Sequence, residues 1–209
     1  MQHRTVREAI LESATEAFVA QPAVTVSVAA IADRAHVAVG SVYHHYGDKQ
    51  ALQFAVASRL MDMLLDGYLG PALDGDDPLA DRLLAHCTAY AAFVEQHPAE
   101  FRTMTNTSYA DVADGAAREW ANRVLGRVAA HLERLTTLVA EAQAQGIVRS
   151  GEPGRLVILV WSALYGICHL HGRYPDVVPA TAGRSALQNM AAQVARDAMM
   201  VDEPTTVGG

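Results

Sequence analysis

The sequence is poor in the features that mark most specialised protein classes. Lysine occurs once, at Lys49, and every other long cationic side chain is arginine. Cysteine occurs twice, at Cys87 and Cys168, with neither metal nor redox spacing, so no structural disulfide and no metal site is expected. Glycine (15) and proline (8) are at ordinary levels and 51% of residues are hydrophobic, which excludes collagen-like and wholly disordered chains. No window holds the roughly 20 uninterrupted apolar residues of a membrane span. The longest apolar run, residues 156–168, includes Ser162 and Gly166 and reads as a buried helix. The first residues lead into an amphipathic segment carrying Glu8, Glu12 and Glu16, not an apolar leader, so a cytoplasmic protein with no membrane partner is expected. No stretch alternates apolar and polar residues between turn signals, and no internal repeat is visible.

What is present is charge of uneven placement and strong helical periodicity. Residues 1–60 hold five Lys+Arg and five Asp+Glu, whereas residues 61–209 hold eleven and eighteen, which accounts for the net charge of −7. An acidic chain argues against indiscriminate nucleic-acid binding but leaves room for a local binding patch.

Thr5-Val6-Arg7-Glu8 is a capping box, and Val6, Ile10, Ala14, Ala17 and Phe18 follow on one helical face until Gln21-Pro22 ends the helix. Ser27 can cap a second helix with Val28, Ile31, Ala32 and Ala35 inward, and a short third helix fits residues 38–46. Asp48 caps a longer one that is expected to end by Gly67 or Gly70-Pro71. Turn residues cluster at 73–78, where Asp77 is a candidate N-cap with Pro78 at the first helical position. Helical spacing then runs to His97-Pro98, a short helix or turn passes Phe101 and Met104, and residues 105–114 read as a loop. A long segment through Trp120, Val128 and Val139 ends near Gly146, and two further helices fit residues 153–171 and 180–200. Residues 202–209 are expected to form a disordered tail. The predicted fold is all-α with about nine helices.

The most specific segment is 24–52. Two short helices joined at Ala35-His36-Val37 form a helix-turn-helix, and the second carries Gly40, Ser41, Tyr43, His44 and His45, whose hydroxyls, imidazoles and phenol can donate to phosphate oxygens or base edges. The run Ser27-Val28-Ala29-Ala30-Ile31-Ala32, Ala35-His36-Val37, Gly40-Ser41-Val42-Tyr43-His44-His45-Tyr46 and Lys49-Gln50-Ala51-Leu52 closely resembles the DNA-binding domain of the TetR family of bacterial transcriptional regulators. The resemblance implies a homodimer with a helix-turn-helix DNA-binding domain at 1–50 and an effector-binding and dimerisation domain at 51–201. It implies a regulator, most often a repressor, that leaves a palindromic double-stranded DNA operator when a small-molecule effector binds. By position, Ser27, Tyr43 and Lys49 resemble phosphate-contacting residues, and Ala38, Val39, Gly40, Ser41 and His44 fall on the recognition helix. The chain departs from the family pattern at His36, where glycine is usual, at Ala38, where a Ser or Thr cap is common, and at Val39, where a polar residue is frequent. Ala38 and Val39 can touch thymine methyl groups in the major groove. Packing of Val39 inward beside Val42 is the alternative.

The remainder is less specific. Trp161-Ser162-Ala163-Leu164-Tyr165-Gly166 resembles a Trp-x-x-x-His-Gly signature in a subgroup of TetR-like C-terminal domains, with Tyr165 in place of the histidine. Trp161, Tyr165 and His169 share one helical face, a stripe that suits either plain core or, with Tyr90, Phe93, Phe101, Met104 and Trp120, a ligand cavity for a largely apolar effector. Leu159, Ala163, Gly166 and Leu170 form a second stripe whose small residues suit a subunit contact. No Gly-rich phosphate loop, nucleophile elbow, paired carboxylates or i, i+4 histidine pair stands out, so no catalytic residue, metal ligand or cofactor is expected. The rival readings are an all-α ligand- or protein-binding dimer without DNA binding, and a helical enzyme whose side chains come from distant helices.

Overall fold

The computed structural model describes residues 5–173 and 186–201. They form ten α-helices and one π-helical turn: α1 (Val6–Ala20), α2 (Val28–Arg34), α3 (Val39–Tyr46), α4 (Lys49–Leu64), the π turn (Leu65–Leu69), α5 (Gly70–Asp74), α6 (Leu79–Gln96), α7 (Pro98–Thr105), α8 (Ala116–Ala144), α9 (Pro153–Arg173) and α10 (Ala186–Met199). Among the described residues the sole extended pairing is an isolated antiparallel bridge between Val148 and Met200. The all-α expectation holds, with one helix more than expected. The tail expected at 202–209 and the start of the last helix at 180–185 lie outside the described residues.

The helix boundaries follow from local chemistry. The capping box forms as the sequence indicates: the Thr5 hydroxyl accepts from the Glu8 N–H at 3.2 Å while the Glu8 carboxylate accepts from the Thr5 N–H at 2.9 Å. Asp48 caps α4 by accepting from the Ala51 N–H at 2.7 Å. α6 begins at Leu79, with the Pro78 carbonyl accepting from the Arg82 N–H at 3.0 Å.

Two boundaries differ from expectation: α6 starts one residue late, with Pro78 and not Asp77 at its N-cap, and the end of the helix begun at Lys49 moves further. The helix that was to stop by Gly67 or Gly70-Pro71 runs on through the π turn into α5 and ends at Asp74. The cause is the wider turn: the Gly70 N–H reaches back to the Leu65 carbonyl, five residues earlier, and Pro71, which has no N–H, falls in the first turn of α5 where a donor is not needed.

The helices gather into two compact units, one of 1–63 with 97–128 and the other of 64–96 with 129–209. The first is built on Ile10, Ala14, Phe18, Ile31, Ala32, Val42 and Tyr46, which are buried on α1, α2 and α3. Burying each large side chain of this kind contributes roughly 1.5–3 kcal/mol. A second cluster joins Ala51 and Phe54 of α4 to Val112, Ala117 and Ala121, with Tyr109 and Trp120 against it. α7 is tied to α1 by the Thr103 hydroxyl, which donates to the Phe18 carbonyl at 3.1 Å.

In the second unit α10 packs on α6 and α9 through Leu187, Ala191, Ala192, Ala195 and Met199, whose small members let helix axes approach closely. α9 buries Leu156, Val157, Val160, Leu164 and Cys168. It is the one described helix long and apolar enough to cross a membrane by length and composition, a test that core helices of helical bundles also pass.

Candidate nucleic-acid interface

The interface is assembled from two short helices and the turn between them. Ser27 caps α2, its hydroxyl accepting from the Ala30 N–H at 3.1 Å. α2 ends in a Schellman motif: the Val37 N–H donates to the Ala32 carbonyl and the His36 N–H to the Asp33 carbonyl, both at 3.0 Å. His36 sits at φ 56°, the left-handed conformation glycine ordinarily supplies at this point of the motif. Histidine is among the side chains that tolerate it, at a modest cost. The chain then enters α3 at Ala38, an N-cap residue with no side-chain hydrogen bond, so one first-turn donor goes without its usual local acceptor.

α3 has a sharp division of faces. Val42 and Tyr46 are each 2% exposed, and the Tyr46 hydroxyl donates to the Arg7 carbonyl at 2.9 Å, which fixes the end of α3 to the first turn of α1. Burial raises the Tyr46 phenol above its ordinary value, with the nearby Arg7 side chain opposing the shift. On the other side Val39 is 42% and Tyr43 49% exposed, and Ala38, Gly40 and His44 are exposed with them. The inward packing of Val39 beside Val42 is therefore not what the chain does. Gly40 has open space where a Cβ would stand, which leaves the helix surface low at its centre. His44 and His45 meet edge to face at 5.1 Å.

Two residues just beyond α3 hold it in place. Gly47 adopts φ 83°, and a Cβ there would come within 3.1 Å of the Ala116 Cβ, so both the turn and the close approach disfavour a side chain. Gln50 donates through Nε2 to the Asp111 carbonyl at 3.1 Å and accepts through Oε1 from the Ala113 N–H at 2.9 Å, clamping the first turn of α4 to the loop before α8. Beside it, at the surface, the Lys49 ammonium donates to the Val24 carbonyl at 3.4 Å and keeps two N–H donors for other partners.

The residues expected around an effector divide between the units. In the second, Tyr90 and Phe93 are buried, and Tyr68 stands edge-on to Phe93 at 5.3 Å. Burial drives the Tyr90 phenol far above its usual range, and a hydrogen bond with the Trp161 side chain works the other way. Trp161 and Tyr165 are each 37% exposed, and Tyr165 stacks on His169 at 5.8 Å. In the first unit Phe101 and Met104 are buried. Trp120, in the same unit, stacks on Tyr46 at 6.3 Å with the ring planes 27° apart, and the Arg123 and Arg7 guanidinium groups lie 4.5 and 5.5 Å from its ring. Burial pushes both Cys87 and Cys168 thiols up to about 12, which keeps them protonated and unreactive near neutrality.

Two arrangements have no counterpart in the sequence reading. One is the Gln50 clamp. The other is a buried pair, His86 on α6 and His131 on α8, which the one-helix test for i, i+4 histidines could not find because the partners are 45 residues apart.

A helical unit that buries one face of a short helix and presents the other, behind a tight turn and two neighbouring helices, is a helix-turn-helix DNA-binding head. Residues 10–56 match the family model of bacterial regulatory proteins of the tetR family, and residues 83–179 match a tetracyclin repressor-like C-terminal domain. The chain belongs to the TetR family and is a DNA-binding transcriptional regulator. Solved structures agree on the fold. A protein of unknown function from Rhodococcus sp. RHA1 superposes with a TM-score of 0.74 at 21% identity, over 96% of this chain and 97% of that one. The TetR family regulator PfmR from Thermus thermophilus gives 0.66 at 18%, over 90% and 97%. AibR, solved in complex with isovaleryl coenzyme A and operator DNA, gives 0.67 at 19%, over 90% and 96%. No curated protein sequence matches the chain.

Proposed function

We propose that the protein is a homodimeric, non-enzymatic cytoplasmic repressor that leaves a palindromic operator when a small, largely apolar effector binds. The observation that carries this reading is the two-faced α3, with Val42 and Tyr46 sealed in the core and Val39, Gly40, Tyr43 and His44 facing outward. In this reading residues 1–50 contact DNA and residues 51–201 bind the effector and dimerise. Ser27, Tyr43 and Lys49 hold phosphates, while Ala38, Val39, Gly40, Ser41 and His44 face the bases. Val39 and Ala38 offer methyl groups where most donors are missing, which favours thymine at the facing positions.

Dimerisation is assigned to α9 and α10. Leu159 and Leu170 stand 51% and 48% exposed on α9, on the stripe that also carries Ala163 and Gly166, and apolar surface of this kind is costly to leave in water. Effector binding is assigned to Tyr90, Phe93, Trp161, Tyr165 and His169 of the second unit, whereas Phe101, Met104 and Trp120 belong to the first. The buried Tyr90 phenol and its hydrogen bond with Trp161 favour an effector with one or two hydrogen-bonding groups on an apolar body. A ligand that prefers the DNA-incompatible arrangement weakens operator binding by the factor by which DNA weakens ligand binding.

Selection of bound sequences from a random duplex library, followed by titration over a salt series, tests the reading. A palindromic consensus is expected. Tyr43→Ala should weaken binding to every sequence and flatten the salt slope, and Val39→Ser should mainly change the preferred bases. If no sequence is enriched, or Tyr43→Ala leaves affinity unchanged, α3 is not the reading helix.

A further inference from the structure

The first unit carries an open cleft of about 450 Å3, walled by the end of α1 and the turn after it, by the first turns of α4, and by α7 with the residues that follow. Its volume falls within the roughly 300–1,000 Å3 of small-molecule sites. The floor is apolar, since Phe18 and Phe54 lie in it at 3% and 1% exposure. The walls are polar yet hold no carboxylate, and Arg102 is the one ionisable residue of the lining in a chain whose net charge is −7.

Half of the lining's polar side chains are already committed. The single hydrogen of the Thr103 hydroxyl is shared between the Ala99 and Phe18 carbonyls, the Thr107 hydroxyl donates to the Thr103 carbonyl, and the Ser108 hydroxyl accepts from the Ala110 N–H. The Gln50 amide is spent on Asp111 and Ala113. Arg102, Gln21, Gln53 and Asn106 differ: none makes a side-chain hydrogen bond or ion pair with a described residue. One uncommitted guanidinium and three uncommitted amides thus surround an apolar floor.

We propose that this cleft binds a small organic monocarboxylate, its carboxylate paired with Arg102 and its hydrocarbon or ring body against Phe18 and Phe54. The guanidinium fork matches a carboxylate in geometry and in charge. A doubly charged phosphate ester is the poorer match, because Arg102 is the one cation of the lining and the Lys49 ammonium beside it is bonded to the Val24 carbonyl. The amides of Gln21, Gln53 and Asn106 complete the carboxylate's remaining acceptor positions or bind polar edges of the ligand. The site is separate from the aromatic set of the second unit and requires neither operator nor dimer.

Calorimetric titration of the full chain without DNA tests it, with benzoate, hexanoate and indoleacetate as probes, benzamide as the neutral isostere of benzoate, and inorganic phosphate as the anion control. At least one carboxylate should bind with one site per chain, and the neutral isostere and phosphate should each bind about tenfold more weakly or not at all. Arg102→Gln changes an exposed side chain and spares the core; it should cost that carboxylate about tenfold in affinity, with part regained in Arg102→Lys. Operator affinity of Arg102→Gln without ligand should stay native. The proposal is overturned if no carboxylate binds at millimolar concentration, if benzamide or phosphate matches the carboxylate, or if Arg102→Gln binds it as the native chain does.

Discussion

The Nε2 atoms of His86 and His131 lie 2.8 Å apart inside the second unit, with the two rings within 18° of parallel. One hydrogen fits between them, so one imidazole donates while the other accepts. Burial, and then the neighbouring His131, holds the His86 pKa well below its ordinary value.

The pair makes the fold sensitive to acid. An unfolded histidine takes up its proton as the pH falls through about 6.5, while the buried folded one does not, so protons favour the unfolded chain. Stability is therefore complete above that pH and lost progressively below it. Denaturant titrations from pH 8 to 4 should show the decline, and His86→Leu/His131→Leu should flatten it by removing both imidazoles together. An equal slope in the double variant would mean that other groups carry the acid response.

Ala38→Ser restores a side-chain cap at the start of α3. It should raise stability by about 1 kcal/mol, read as a higher denaturation midpoint with unchanged slope. Because the new hydroxyl lies on the exposed face, operator affinity should also rise if Ala38 faces DNA. A stability gain with no change in affinity would remove Ala38 from the interface.

Gly47→Ala acts in the opposite direction. The positive φ and the Ala116 contact together should cost about 1–3 kcal/mol. Since Gly47 follows α3 directly, the variant should lose operator affinity more than its fraction unfolded explains. A Tm within error of native would show that the turn relaxes without cost.

Gly166 on α9 has nothing within 4 Å of where its Cβ would stand, so the single chain has room for a larger residue there. Gly166→Leu should fold with near-native stability as a subunit yet sediment as a monomer or a weakened dimer. A native dimer that binds operator would place the subunit contact elsewhere.

Legibility in the sequence followed the range of the forces involved. The caps at Thr5, Ser27 and Asp48 were readable because donor and acceptor lie three residues apart. The turn at Ala35-His36-Val37 was readable from its place between two periodic stripes. Pro71 misled because a proline reads as a stop, whereas a π turn shifts the hydrogen-bond register so that its missing donor does no harm. On α9, periodicity grouped Trp161 with Tyr165 but could not say which face is buried, because Leu156, Val160 and Leu164 opposite are equally apolar. The His86–His131 pair and the Arg102 cleft were invisible for a different reason. Each needs side chains from separate helices whose mutual register no local pattern encodes.

The Gln50 clamp has a consequence for genetics. Its amide ties the turn that carries Lys49 to the backbone of Asp111 and Ala113, so the loop of residues 107–115 helps set where that ammonium points. A screen for altered regulation should therefore return substitutions in this loop, and at Gln50 itself, that behave like operator-contact alleles although none of the altered side chains reaches DNA. Compensating changes should pair loop with Gln50, not loop with operator.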